Sequence, residues 1–445
     1  MAIAQQSVPA VSSAVPGSEL VSRRYGYYVL VMLTLVSTLN FIDRQLLSIL
    51  LEPIKAEFHL SDTQLGFLTG FAFAIFYSIM GIPLARLADS GNRSRLIAIV
   101  IIVWSVMTAL CGLTVGFTSL LLARIGVGIG ESGSAPAVQS QLADYFEPRR
   151  RASMIGLQST GVYLGILFGF LLGGWINQYL GWRTAFMTLG IPGVVFAVIF
   201  WLTVREPPRG VVENVTDTGR TPPVWVTLRH LWSVRSYRHI PFAVSFYAFV
   251  AYGSMGWGPA FFMRTHHLTT GEIGTWLALS AGVAGGLGCY FGGVLSDYIV
   301  NRTGDARWHM WLPALFIGGS IPLQFIIYLS PTALPALLTT AAVWFLGNTW
   351  LGPAQATLQG LAGLRMRAMA LAVMLFLNNL IGQGLGPQIV GMLSDYMRRT
   401  QGPDSLRYAL LVAVVVASLL SAFHFAMAAR TLREDLQANT ATGRS

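Results

Sequence analysis

Long apolar runs alternate with short polar breaks along nearly the whole chain. Most runs reach about 20 residues, the length a helix needs to cross a bilayer. The pattern predicts twelve spans, at approximately 25–51, 63–87, 95–116, 118–143, 152–177, 183–204, 239–263, 272–299, 309–330, 333–360, 366–394 and 406–430. Strands are excluded, because the runs are too long and lack the ten-residue alternation of a membrane barrel. The longest polar interruption, 205–238, holds Pro207, Pro208, Pro222 and Pro223. It reads as a cytoplasmic linker between two six-helix bundles, 23–204 and 239–432. Residues 1–22 read as a disordered cytoplasmic tail with no cleavable signal peptide, and 433–445 as a second tail.

Composition sharpens this picture. Only 11% of residues are charged and 54% are hydrophobic, against about a quarter charged in an ordinary soluble chain. This rules out a soluble enzyme, a disordered protein and a nucleic-acid module. The net charge of +10 is explained by where the bases sit. With the N-terminus inside, 21 of the 29 Lys and Arg fall on cytoplasmic segments and six outside, so both termini are expected in the cytoplasm. The inner leaflet's anionic lipids are natural partners for that excess. Cys111 and Cys289 lie inside apolar runs and read as small core residues.

The halves resemble each other. Pro136-Ala137 matches Pro353-Ala354, and Gly174 matches Gly391, both at an offset of 217 residues. Arg151-Ala152 matches Arg367-Ala368 at 216, and Leu87-Ala88-Asp89 matches Leu295-Ser296-Asp297 at 208. Four matches in one order argue for a duplicated six-helix unit. Where transporters are built from duplicated halves, the substrate site lies between them, near the bilayer midplane. The expected fold is an all-α integral membrane protein, with 12 transmembrane helices in two pseudo-symmetric bundles.

A charge in the membrane core is costly and therefore a functional candidate. The candidates are Asp43, Arg44, Arg124 and Glu131, all in the first half. At 1.5 Å per residue, Asp43 lies about 27 Å along span one, and Arg124 about 9 Å below the outer end of span four. Asp43, Arg44 and Arg124 are therefore expected at similar depth, with Glu131 nearer the midplane. Asn40 sits one turn before Arg44. A guanidinium matches a phosphate or carboxylate, while a carboxylate in a dry cavity can exchange a proton. Asp43 and Glu131 are the expected proton-coupling pair, with Arg124, Arg44 and Asn40 facing substrate. The second half offers aromatic and amide groups instead: Tyr247, Trp257, Asn348, Asn378 and Gln383. Asn348 stands at the duplication equivalent of Glu131. No metal site is expected, since His266 and His267 lack further partners. Glycines 126, 128 and 130 lie in a span and read as helix packing rather than a nucleotide loop.

The loop after span two, Arg86-Leu87-Ala88-Asp89-Ser90-Gly91-Asn92-Arg93-Ser94-Arg95, resembles the loop 2–3 motif of the major facilitator superfamily. A narrower resemblance is to the Spinster family of lipid transporters. It rests on Asn40-Phe41-Ile42-Asp43-Arg44, Arg124 through Gly130-Glu131, Ala143-Asp144-Tyr145-Phe146 and Arg205-Glu206-Pro207-Pro208-Arg209-Gly210. The superfamily resemblance implies a cytoplasmic gate at Asp89 and Arg93. The Spinster resemblance implies proton-coupled alternating access and headgroup binding through Asp43, Arg124 and Glu131. Its substrates include sphingosine-1-phosphate and lysophospholipids. The near-absence of Lys suggests a bacterial member.

The leading expectation is thus a proton-coupled transporter of an amphipathic anionic or zwitterionic lipid, powered by the proton gradient without a cofactor. It would act as a monomer in the cell inner membrane. A second keeps the fold and takes a small organic anion such as a sugar acid. A third, a membrane enzyme acting on lipids, lacks the carboxylate or His cluster it would need at the interface.

Overall fold

The computed structural model describes residues 23–207, 224–362 and 366–441. Among these residues there is no strand. They form twelve long helical segments: α1 (Arg23–Ile49), α2 (Asp62–Ser90), α3 (Arg93–Cys111), α4 (117–145), α5 (148–180), α6 (182–203), α7 (Arg235–His266), α8 (Thr270–Thr303), α9 (Trp308–Leu329), α10 (Ala333–Ala362), α11 (367–401) and α12 (Ser405–Ala441). Eight stretches are long and apolar enough to cross a membrane, and two of these each contain a pair of helices. Between α5 and α6 the chain turns at Gly181, whose φ of 82° is a conformation an L side chain rarely adopts.

Several ends depart from the apolar pattern. The interruption at 205–238 contains a helix, Val224–Ser233, and α7 starts at Arg235. The C-terminal segment remains helical to Ala441. Tertiary contacts explain this, because Asp435 accepts from the Ser236 backbone and hydroxyl at 2.7 and 2.6 Å and ties α12 to the start of α7. Residues 1–22, 208–223 and 442–445 lie outside the described residues, and with them the first tail and Pro208, Pro222 and Pro223 of the linker.

The duplication is visible in the backbone. Helix α4 is interrupted at Gly133, after Glu131. Helix α10 is interrupted by a 3-10 turn at Asn348–Trp350, at the same place in the repeat.

The halves meet at one end only. There α2 packs on α11, and α5 packs on α8. A Cβ at Gly70 would lie 2.7 Å from the Gly384 carbonyl oxygen, and one at Gly174 2.3 Å from that of Thr270. Only glycine permits such approach. Further along α2, α5 and α8 the helices part. A Cβ at Gly81 would meet only Ser132 of its own half, and nothing lies within 4 Å at Gly156 or Gly293. The molecule is therefore closed at the Lys55 end and open at the Asp89 end. Short π-helical stretches, Phe67–Phe71, Ala278–Ala284 and Asn378–Leu385, fall on α2, α8 and α11 where these contacts form. Such bulges recur at functional sites and give a helix a place to bend.

Candidate functional site

Helix α1 presents Asn40, Asp43 and Arg44 toward α4, which presents Arg124 and Glu131. Asn40, Asp43, Arg124 and Glu131 are all buried. Arg44 Nε donates to Glu131 Oε2 at 2.8 Å. Asn40 stands beside the Glu131 carboxylate, and Asp43 lies within electrostatic reach of Arg124 and Glu131. The guanidinium carbons of Arg44 and Arg124 lie 5.0 and 5.5 Å from the ring of Phe73 on α2. One aromatic ring thus serves both cations. Phe41 and Tyr77 lie 5.1 Å from Arg44.

Arg44 and Arg124 sit against the same Phe73 ring and line the same cavity, but only Arg44 reaches Glu131. Arg124 is then left over. Its Nε and Nη1 are buried with no hydrogen-bond partner. Buried guanidinium nitrogens without a hydrogen-bond partner are costly.

Arg124 opens onto a small cavity between the halves. The first half contributes Arg44, Gln45, Ser48, Thr69 and Phe73, and the second half Tyr252, Met255 and Gln383. Tyr252 faces Arg44 across the interface. A second cavity lies inside the second bundle, with Val250, Phe261, Ile327 and Val343 among its largely apolar walls. The same stretch of α7 lines both. Tyr252 and Met255 face the charged cavity, Tyr247 and Ser254 the apolar one.

The other expected residues divide. Gln383 lines the charged cavity and Tyr247 the apolar one. Trp257 is fully buried and its indole N–H donates to Pro387 O at 2.8 Å, stitching α7 to α11. Asn348 donates to Trp344 O at 2.8 Å and approaches Gly285 of α8. Asn378 begins the π-helical stretch of α11, half-buried. None of these three lines either cavity. Gln45 and Phe73 went unnoticed in the sequence, and Tyr252, one of the aromatics of span seven, was passed over there for Tyr247 and Trp257. An amide directly after Asp43-Arg44 was a signal for Gln45, whereas nothing distinguished Tyr252 from its aromatic neighbours.

Asp89 and Arg93 separate. Asp89 is exposed. Arg93 is buried, with Nη1 on Asp144 at 2.5 Å and Nε on Glu206 at 2.6 Å. Tyr145 donates to Arg205 O at 2.5 Å in the same cluster. Three motifs far apart in sequence are therefore one cluster at the open end, built from the first bundle and the start of the linker.

The closed end carries a network no motif announced. Arg264 of α7 reaches Glu52 at 2.6 Å and Asp62 at 2.8 Å. Asp62 also accepts from Lys55 and from Ser394. In return, Asp395 of α11 accepts from the Thr63 backbone and hydroxyl at 2.7 and 2.6 Å, at the N-terminus of α2. The second half thereby caps a helix of the first. Among the described residues no group of three or more His, Cys, Asp or Glu could hold a metal ion.

Two bundles joined at one end around a buried cationic cavity is a transporter architecture, and the family comparison agrees. The Major Facilitator Superfamily model matches residues 33–387. The chain belongs to the major facilitator superfamily. It is an integral multi-pass membrane protein and a transporter rather than an enzyme. It is 35% identical to an MFS-type efflux pump of Mycolicibacterium smegmatis, over 91% of this chain and 93% of that protein. It is 25% identical to the hexuronate transporter of Bacillus subtilis, over 87% and 93%. Among solved structures it resembles a bacterial homolog of the human lysosomal transporter Spinster in an inward-facing, unoccupied conformation. The TM-score is 0.83 at 31% identity, covering 93% of this chain and 99% of that one. The Spinster resemblance thus extends over both halves.

Proposed function

We propose that the chain is a proton-coupled transporter of an amphipathic anionic or zwitterionic lipid, such as a lysophospholipid or a sphingosine-1-phosphate-like molecule. The observation that carries this reading is a cavity beside Arg124, two of whose nitrogens are buried without a hydrogen-bond partner, set against an apolar cavity on the other face of the same α7 stretch. A headgroup anion suits the first and a hydrocarbon chain the second. The excess of Arg at the Asp89 end orients that end to the cytoplasm, so the described conformation opens inward. The protein is placed in the cell inner membrane, with both termini cytoplasmic, as a monomer. Glu131 is the proton carrier in this scheme, with Asp43 beside it. Protonating Glu131 releases Arg44, which frees the two halves to rock about the cavity. The proton gradient supplies the energy and no cofactor takes part. The efflux relative favours net movement outward.

The charged cavity alone supports a second reading. Its amides and hydroxyls suit a small sugar acid, in line with the hexuronate relative. The test is uptake into proteoliposomes under an imposed pH gradient, with labelled lysophospholipid and labelled hexuronate side by side. Gradient-driven lipid movement that Glu131→Gln abolishes supports the proposal. Movement of hexuronate alone overturns the lipid reading and leaves the transporter in place.

A further inference from the structure

The cavity at Arg124 carries more specific information than its charge. Two amides enter it, Gln45 from α1 of the first half and Gln383 from the π-helical stretch of α11 in the second. Both residues are nearly fully buried, and the Oε1 atom of each has no hydrogen-bond partner. Oxygen and nitrogen of an amide can be interchanged, but either orientation leaves one carbonyl acceptor and one NH₂ group on each residue. A buried polar group left unsatisfied is costly. Two such amides beside an unpartnered guanidinium therefore describe the complement of a ligand. Arg124 asks for an anion. The amide oxygens ask for an N–H or O–H donor a few ångström from that anion.

We propose that Gln45 and Gln383 are specificity-determining residues that read a hydrogen-bond donor beside the anionic group of the substrate. This rests on the transporter reading above and names its headgroup chemistry. A phosphate followed by a primary ammonium or a glycerol hydroxyl fits. A quaternary ammonium, which has no N–H, leaves both amide oxygens stranded and is disfavoured. The reasoning is that of a site built around a donor, which rejects the analogue lacking it more strongly than an apolar pocket rejects an extra methyl. The placement also adds a role in the cycle. One amide comes from each half, so a donor-bearing headgroup bridges the halves, while a donor-free one binds the first half alone.

The experiment compares lysophospholipids with one acyl chain and ethanolamine, glycerol or choline headgroups. Hexuronate is run in parallel, in proteoliposomes of wild type, Gln45→Leu and Gln383→Leu. Wild type is expected to move the ethanolamine and glycerol forms roughly tenfold faster than the choline form. Each variant is expected to bring that ratio toward one, a quantity readable at any absolute rate. Wild-type transport without headgroup preference overturns the inference and leaves the lipid transporter intact, even if neither variant folds. Transport of hexuronate alone overturns the lipid reading. The donor reading then stands only if both variants raise the hexuronate KM by roughly tenfold. Movement of neither substrate overturns both.

Discussion

Arg44 and Glu131 form a buried ion pair at 2.8 Å that joins α1 to α4, while Arg124, one heptad before Glu131, has none. The same helix face thus presents one charge inside an ion pair and one outside any. In the mechanism proposed above, protonation of Glu131 releases the pair and Arg124 receives the anion of the ligand.

Removing the carboxylate should be felt in stability and coupling together. Breaking a buried pair from one side costs about 3–5 kcal/mol. Glu131→Ala is therefore expected to lower the unfolding temperature clearly, while Glu131→Gln, which can still accept from Arg44, lowers it less. Both variants should transport at a rate independent of the pH gradient. Thermal unfolding in detergent and gradient-dependent uptake read the two effects separately.

Arg124 should behave in the opposite way. With two buried nitrogens unpartnered, it contributes little to the empty fold. Arg124→Gln is expected to leave thermal stability unchanged or raised, and to reduce transport more than tenfold through lost charge-assisted hydrogen bonds. A large fall in unfolding temperature would show that Arg124 holds the helices together instead.

The network at the closed end should set the balance between facing states. Arg264→Ala removes both the Glu52 and Asp62 pairs, and Asp395→Ala uncaps α2. Spin labels at the exposed positions Ala56 and Arg399 should move apart in either variant, measured by pulsed electron resonance. An unchanged distance distribution would assign the network to local stability alone.

Glu57 offers a pH-dependent control outside the helices that line the cavity. Hydrogen bonds from Arg183 and Trp182 hold its carboxyl below the ordinary carboxylate range. A depressed pKa means stabilisation that is present at neutral pH and lost as pH falls through the folded value. The pair is half exposed, so the effect is small. The unfolding temperatures of wild type and Glu57→Gln should differ slightly at pH 7 and converge in acid. A difference that does not shrink on acidification would overturn the assignment.

Much of the fold was legible because membrane crossing imposes a pattern that any reader of hydropathy can see. Apolar runs of about 20 residues, a polar interruption after the sixth and four repeat matches suffice for two six-helix bundles. The rarity of charge in such runs likewise singled out Asp43, Arg44, Arg124 and Glu131 before any coordinate. What hydropathy and spacing could not state was who meets whom. Pairing Arg44 with Glu131 depends on side-chain reach across two helices. The cluster of Arg93, Asp144 and Glu206 joins segments about 50 and 110 residues apart in sequence. The lock of Arg264 and Asp395 on Asp62 and Thr63 exists only because the halves close at that end. Trp257, an aromatic in a candidate pathway by its position, spends its one donor on Pro387, whereas Gln45, unremarked beside two charges, faces the cavity. Local sequence determines which segments are helices and which carry costly charge, because both follow from the transfer of each residue into the bilayer. Packing between helices decides which of those charges are satisfied and which wait for a ligand, because that depends on distances no single helix contains.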